Sequence, residues 1–111
     1  MRIFLLLVII LLVAGCQQKS EVKEIKITAK QFVFTPSTIE LKQGEKVRII
    51  LDSADVAHGL SIPDLGIDAR AEPGKNTIID LTPDMKGEFN GHCSVFCGIG
   101  HGDMKLKVVV S

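Results

Sequence analysis

The sequence contains no tryptophan and no tyrosine, no surplus of either charge, and only three cysteines among its 111 residues. Thirteen basic and thirteen acidic side chains cancel. Taking away the first fifteen residues removes only Arg2, which leaves twelve bases against thirteen acids and a net charge of −1. A nucleic-acid partner needs a basic face, so that class is excluded. Also absent are a phosphate-binding glycine loop, a nucleophile–base pair and paired carboxylates at a recognisable site. The chain alone is therefore not expected to be an enzyme or to take a small-molecule substrate. It has no internal repeat, no low-complexity segment and no stretch of helical periodicity. Its length permits one domain.

Ile3 to Ala14 is an unbroken apolar run of twelve residues behind Arg2. A bilayer core needs about 20 residues, so the run is too short to span. It fits the apolar region of an export signal. It ends in Val13-Ala14-Gly15-Cys16, small residues before a cysteine, which resemble the lipobox of bacterial lipoproteins. The resemblance implies cleavage before Cys16 and lipidation of Cys16. The product is an exported, membrane-anchored lipoprotein facing the periplasm or the cell exterior; the plainer alternative is a short uncleaved anchor. Residues 1–15 are then the signal peptide, 16–21 a lipidated tether and 22–111 the folded domain. Export also places Cys93 and Cys97 in an oxidising compartment, where two thiols either form a disulfide or hold a metal. About 96 remaining residues build a modest core, to which a bound metal adds stability.

From Val22 onward the pattern has a period of two. Ile25 and Ile27 alternate with Glu24, Lys26 and Thr28. Phe32-Val33-Phe34 follows, then Ile39 and Leu41 between Glu40 and Lys42. Val47 to Leu51, Asn76 to Leu81, Glu88 to Cys93 and Lys105 to Val110 are further strand-like runs. Gly44, Pro73-Gly74, Pro83-Asp84 and Gly87 punctuate them. Short alternating strands separated by turn residues predict an all-β sandwich or barrel. Ser53 to Glu72 reads as a long loop with one short apolar alternation, Leu60 to Ile62. Long loops in compact domains tend to carry function.

The chemistry concentrates in Cys93-Ser94-Val95-Phe96-Cys97-Gly98-Ile99-Gly100-His101-Gly102-Asp103-Met104. Two thiols, an imidazole and a thioether fall within twelve residues, and three glycines allow tight bending. Thiolate and thioether select copper, whereas imidazole suits copper and zinc alike. Only Asp103 offers a carboxylate, which argues against calcium and magnesium. Cys97, His101 and Met104, joined by a distant histidine, would make a mononuclear blue-copper site. His58 is the obvious distant histidine. Cys93 is unexplained by that site; a second thiolate lets two cysteines bridge two coppers, each with one histidine and one weaker ligand.

These residues resemble the CuA domain of cytochrome c oxidase subunit II. The pattern Cys-Ser-x-x-Cys-Gly-x-x-His-x-x-Met is met at Cys93, Ser94, Cys97, Gly98, His101 and Met104. A histidine before a short strand and Pro-x-Leu-Gly is met at His58 and Pro63-Asp64-Leu65-Gly66, and Pro73-Gly74-Lys75 resembles the turn that follows. The similarity runs from about Val22 to Val110. It implies a cupredoxin-like Greek-key β-sandwich. It also implies ligation of two copper ions by His58, Cys93, Cys97, His101, Met104 and the backbone carbonyl of Val95. The implied role is electron transfer with a redox protein partner such as a cytochrome or terminal oxidase.

The chain departs from that family at three points. Only the short signal precedes the domain, where the family carries two membrane helices. Val95 stands where the family has a glutamate whose side chain helps bind magnesium. The family's aromatic-rich stretch is reduced to Phe32 and Phe34, which read as core residues. A free-standing relative of the oxidase domain is the expectation. The alternatives are a periplasmic copper store or donor, a mononuclear blue-copper-like carrier, and a zinc- or disulfide-stabilised interaction domain. His92 is expected to point away from Cys93, Met85 to be packing or loop, and Phe96 to pack against the site and shield it from water. Lys23, Lys26 and Lys30 read as a solvated strand face.

Overall fold

The computed structural model describes residues 21–111; residues 1–15, read above as an export signal, and Cys16 lie outside the described residues. Among the described residues nine strands occur in order: β1 Lys23–Lys30, β2 Val33–Thr35, β3 Thr38–Leu41, β4 Val47–Ser53, β5 His58–Ile62, β6 Ile67–Ala71, β7 Thr77–Leu81, β8 Gly87–His92 and β9 Lys105–Val110. They form two sheets, ordered β2-β1-β4-β7 and β3-β9-β8-β5-β6. β1 with β4 and β3 with β9 are parallel, and the other pairs are antiparallel. This is the all-β sandwich that the alternation predicts.

Each strand buries one face because its side chains alternate. In β4, Val47, Ile49 and Leu51 point inward while Arg48, Ile50 and Asp52 stay partly exposed. In β9, Leu106, Val108 and Val110 point inward while Lys105 and Lys107 face water. Ile27, Phe34, Leu41, Leu60 and Ile62 add to the interior from β1, β2, β3 and β5, and Ile67 and Phe89 from β6 and β8. Burying each such side chain is worth about 1.5–3 kcal/mol of transfer free energy. Lys23 and Lys30 are exposed, and Lys26 pairs with Asp52 at 3.6 Å, as a solvated strand face should.

The segment from Ser53 to Glu72 is not the long loop that its sequence predicts. β5 and β6 occupy most of it as a hairpin, with Ile62 opposite Ile67 and His58 opposite Ala71. The alternation in β6 is Ile67-Asp68-Ala69-Arg70-Ala71, and small alanines at two of the inward positions hide it. A single 3-10 turn, Pro63–Leu65, closes the hairpin, and Gly66 takes the left-handed φ of 67° that ends it.

The topology sets the site. β1 and β4 run parallel and end together, β5 starts from that end, and β8 returns to it. The β1–β2 turn, the β4–β5 loop and the long β8–β9 connection therefore meet at one end of the sandwich.

Candidate metal centre

Cys93 directly follows β8 and Met104 directly precedes β9. The Cys93 N–H donates to the Met104 carbonyl at 3.1 Å, which pins the two ends of the loop together. The Ser94 N–H donates to the Gly59 carbonyl at 3.2 Å and fastens the loop to β5. A Cβ at Gly59 would strike Ser94 Oγ and reach Val95 N at 3.0 Å, so this approach needs a glycine. His101 opens a 3-10 turn, His101–Asp103, whose Met104 N–H donates back to the His101 carbonyl at 3.3 Å.

The loop brings the predicted donors together. Cys93 Sγ and Cys97 Sγ lie 3.6 Å apart, and both cysteines are free. Cys93 Sγ is 3.9 Å from His58 Nδ1 and 3.1 Å from the Val95 carbonyl oxygen. Cys97 Sγ is 3.6 Å from His101 Nδ1 and 3.9 Å from Met104 Sδ. Each sulfur thus has its own imidazole and one weaker donor. The donor atoms of His58, Cys93 and Cys97 all lie within 4.8 Å of one another. His58, Cys93, Cys97 and Met104 are buried, while Val95 and His101 are half-buried.

These residues fit a soft metal. Cys93, Cys97 and His58 would be the residues to hold such a metal. Two thiols, two imidazoles, a thioether and a carbonyl form the donor chemistry of copper rather than of a hard cation. Burial, and then the neighbouring Cys93, push the Cys97 thiol up to about 11, so a metal must displace its proton.

His58 is prepared for ligation. Its Nε2 lies 2.7 Å from Asp55 Oδ1. Desolvation pushes the Asp55 carboxyl up, but the Gln31 N–H, the His58 ring and the Val56 N–H outweigh it and bring the group down to about 2. An ionised carboxylate only accepts, so Nε2 carries a proton toward Asp55 and Nδ1 is the ring nitrogen that faces the sulfur. Ser53 Oγ donates to the Val56 carbonyl and accepts from the Asp55 N–H at 3.2 Å, which folds the loop tightly. Asp55 escaped the sequence reading; its only signal was an acid three positions before a candidate histidine. Gln31, also missed, has no signal in the sequence.

Phe96 does not shield the site. It is 78% exposed, with its ring centroid 5.6 Å from that of His101. Cys93, the Val95 carbonyl and Cys97 all turn inward in this short bend, so the side chain between them is forced out. Ile99 is fully exposed beside it. Phe34 is a core residue as expected; Phe32, in the β1–β2 turn, is half-buried and packs against the core, with its ring 2.9 Å from where a Gly98 Cβ would stand. His92 is exposed, opposite in facing to Cys93, and Met85 is exposed before β8.

Comparison with known proteins agrees with this architecture. A family described as a cupredoxin-like domain matches residues 3–110. Cytochrome c oxidase subunit 2 of the yeast Vanderwaltozyma polyspora is 36% identical over 76 residues, 68% of this chain. The chain spans only 30% of that relative's length. The periplasmic domain of subunit II of cytochrome oxidase from Bradyrhizobium japonicum superposes with a TM-score of 0.76 at 22% identity, covering 85% of this chain and 86% of that one, a likeness of fold. A copper binding protein solved in its apo form superposes with a TM-score of 0.65 at 28% identity, covering 86% and 93%.

Proposed function

The chain belongs to the cupredoxin-like domain family, and from that premise we propose that it is a membrane-anchored copper electron-transfer protein with a dinuclear, CuA-type centre. The ligands proposed are His58, Cys93, Cys97, His101, Met104 and the Val95 carbonyl. One observation carries this: two buried sulfurs 3.6 Å apart, with His58 against one and His101 against the other. A mononuclear centre of His58, Cys97, His101 and Met104 would leave Cys93 without a task.

When bound, copper supplies a one-electron couple. The chain supplies a rigid cage: β5 carries His58, and Cys93 and Met104 are anchored at the ends of β8 and β9. Burial of Cys93, Cys97 and Met104 keeps water from the sulfurs. The half-buried His101 brings one ring to the surface, a short route for an electron. One electron arrives from a reduced donor protein and one leaves to an acceptor, with no bond made or broken in the chain. The partner proposed is a cytochrome or a terminal oxidase, in keeping with the name of the curated relative. Val95 in place of a carboxylate favours a free-standing carrier. Anchoring through lipid on Cys16, facing the periplasm or cell exterior, completes the proposal.

Copper storage or delivery is the second reading, and likeness to a copper binding protein favours it. Protein purified from its native host and mixed with a reduced cytochrome separates the two. Bleaching of the oxidised centre by electron uptake supports the carrier. Transfer of copper to a metal-free acceptor domain without electron exchange supports delivery.

A further inference from the structure

His58 and Cys97 stand on separate segments, the start of β5 and the β8–β9 connection, and no covalent bond fixes one against the other. A residue from a third segment joins them. The Gln31 main-chain N–H donates to Asp55 Oδ2 at 2.7 Å. The other Asp55 oxygen holds His58 Nε2 at 2.7 Å. The Gln31 side-chain amide donates to the Cys97 carbonyl at 2.6 Å. A continuous path thus runs from one imidazole to the backbone of the opposite thiolate without passing through the donor atoms.

The surroundings hold this path in place. The Ala54 N–H donates to the Ala29 carbonyl at 2.9 Å, so the β4–β5 loop is seated on the end of β1. Phe32, next to Gln31, packs under the ligand loop, where a Cβ at Gly98 would come within 2.9 Å of its ring and 3.0 Å of Gln31 Nε2. Gln31 lies at the surface, but its bond to the Cys97 carbonyl is part-buried and charge plays no part in it. Its strength therefore depends little on pH or salt.

We propose that Gln31 is a positioning residue of the copper centre: a clasp that fixes the His58 half of the cage against the Cys97 half, slows copper loss and keeps one geometry in both redox states. The proposal rests on the copper electron-transfer reading above. Outer partners of metal ligands are worth about 10–100-fold in affinity, and a surface amide belongs at the low end of that range.

The test compares Gln31→Met with Gln43→Met. Methionine keeps the length of the side chain but removes the donor. Gln43 makes the same kind of bond, from Nε2 to the Asp84 carbonyl at 2.8 Å, away from the ligands. Both variants are loaded with copper, and copper loss to a chelator, electron self-exchange and unfolding of the metal-free protein are measured. The clasp predicts about tenfold faster copper loss and slower self-exchange for Gln31→Met, with metal-free stability lowered no more than in Gln43→Met. Equal copper loss and self-exchange in the two variants, with the wild type still binding copper, overturns the clasp and leaves the function standing. A wild type that binds no copper overturns both. Should Gln31→Met fail to fold, Gln31→Ala removes the same amide donor to the Cys97 carbonyl while leaving the main-chain bond to Asp55. Faster copper loss in that variant supports the path, and wild-type behaviour overturns it.

Discussion

Cys93 Sγ and Cys97 Sγ lie 3.6 Å apart, unbonded and buried, with an imidazole at 3.9 Å from the first and another at 3.6 Å from the second. Replacing Cys93 by serine keeps the shape and removes one sulfur. The expected product folds, binds at most one copper and loses any spectrum of an electron shared between two metals. Metal analysis with electron spin resonance checks this, and full retention of two coppers would count against the bridging role of Cys93.

Met104 is fully buried, with its sulfur 3.9 Å from Cys97 Sγ. Met104→Leu conserves volume and should cost less than about 1.5 kcal/mol of stability. It removes a weak donor that favours the oxidised metal, so the reduction potential should rise. Voltammetry on the copper-loaded variant reads this directly; an unchanged potential would mean that the thioether is packing alone.

Gly98 has a φ of 137°, and the Phe32 ring lies 2.9 Å from where its Cβ would stand. Gly98→Ala combines backbone strain with overpacking and should destabilise the metal-free domain by about 1–3 kcal/mol. The readout is the denaturant midpoint, which should fall; a midpoint equal to wild type would mean that the turn relaxes freely.

The Cys97 thiol is raised to about 11 by burial and then by Cys93, so it is protonated at neutral pH in the metal-free chain. Copper must release that proton. Apparent affinity should therefore rise with pH, by about tenfold per unit for each proton displaced. Titration in weakly buffered dye counts the protons; uptake without release would show that the thiolate is not the donor.

Phe96 and Ile99 are exposed next to the half-buried His101. Phe96→Ser should leave stability within about 0.5 kcal/mol and copper content unchanged. Electron exchange with a protein partner should slow, because apolar contact beside the exposed ring is lost. A lowered unfolding midpoint would instead give Phe96 a packing role.

Much of the fold was legible because the alternation of β1, β4 and β9 is written in large apolar residues such as Ile27, Leu51 and Val108. β6 was not, because Ala69 and Ala71 stand at its inward positions and Ser53 to Glu72 then reads as loop. The candidate donors His58, Cys93, Cys97, His101 and Met104 were singled out by spacing, chemistry and resemblance, and the structure brings them together. Asp55 and Gln31 were not, since their roles depend on the parallel pairing of β1 with β4, which places the ends of distant segments side by side. Phe96 was misjudged because facing in a tight bend is set by the inward-turned Val95 carbonyl rather than by hydrophobicity.

Copper content and electron spin resonance of the wild-type protein purified from its native host test the central claim most directly. Two coppers per chain, with one unpaired electron coupled equally to both nuclei, is the predicted result. A single copper with the spectrum of an isolated ion, or zinc in its place, would contradict it.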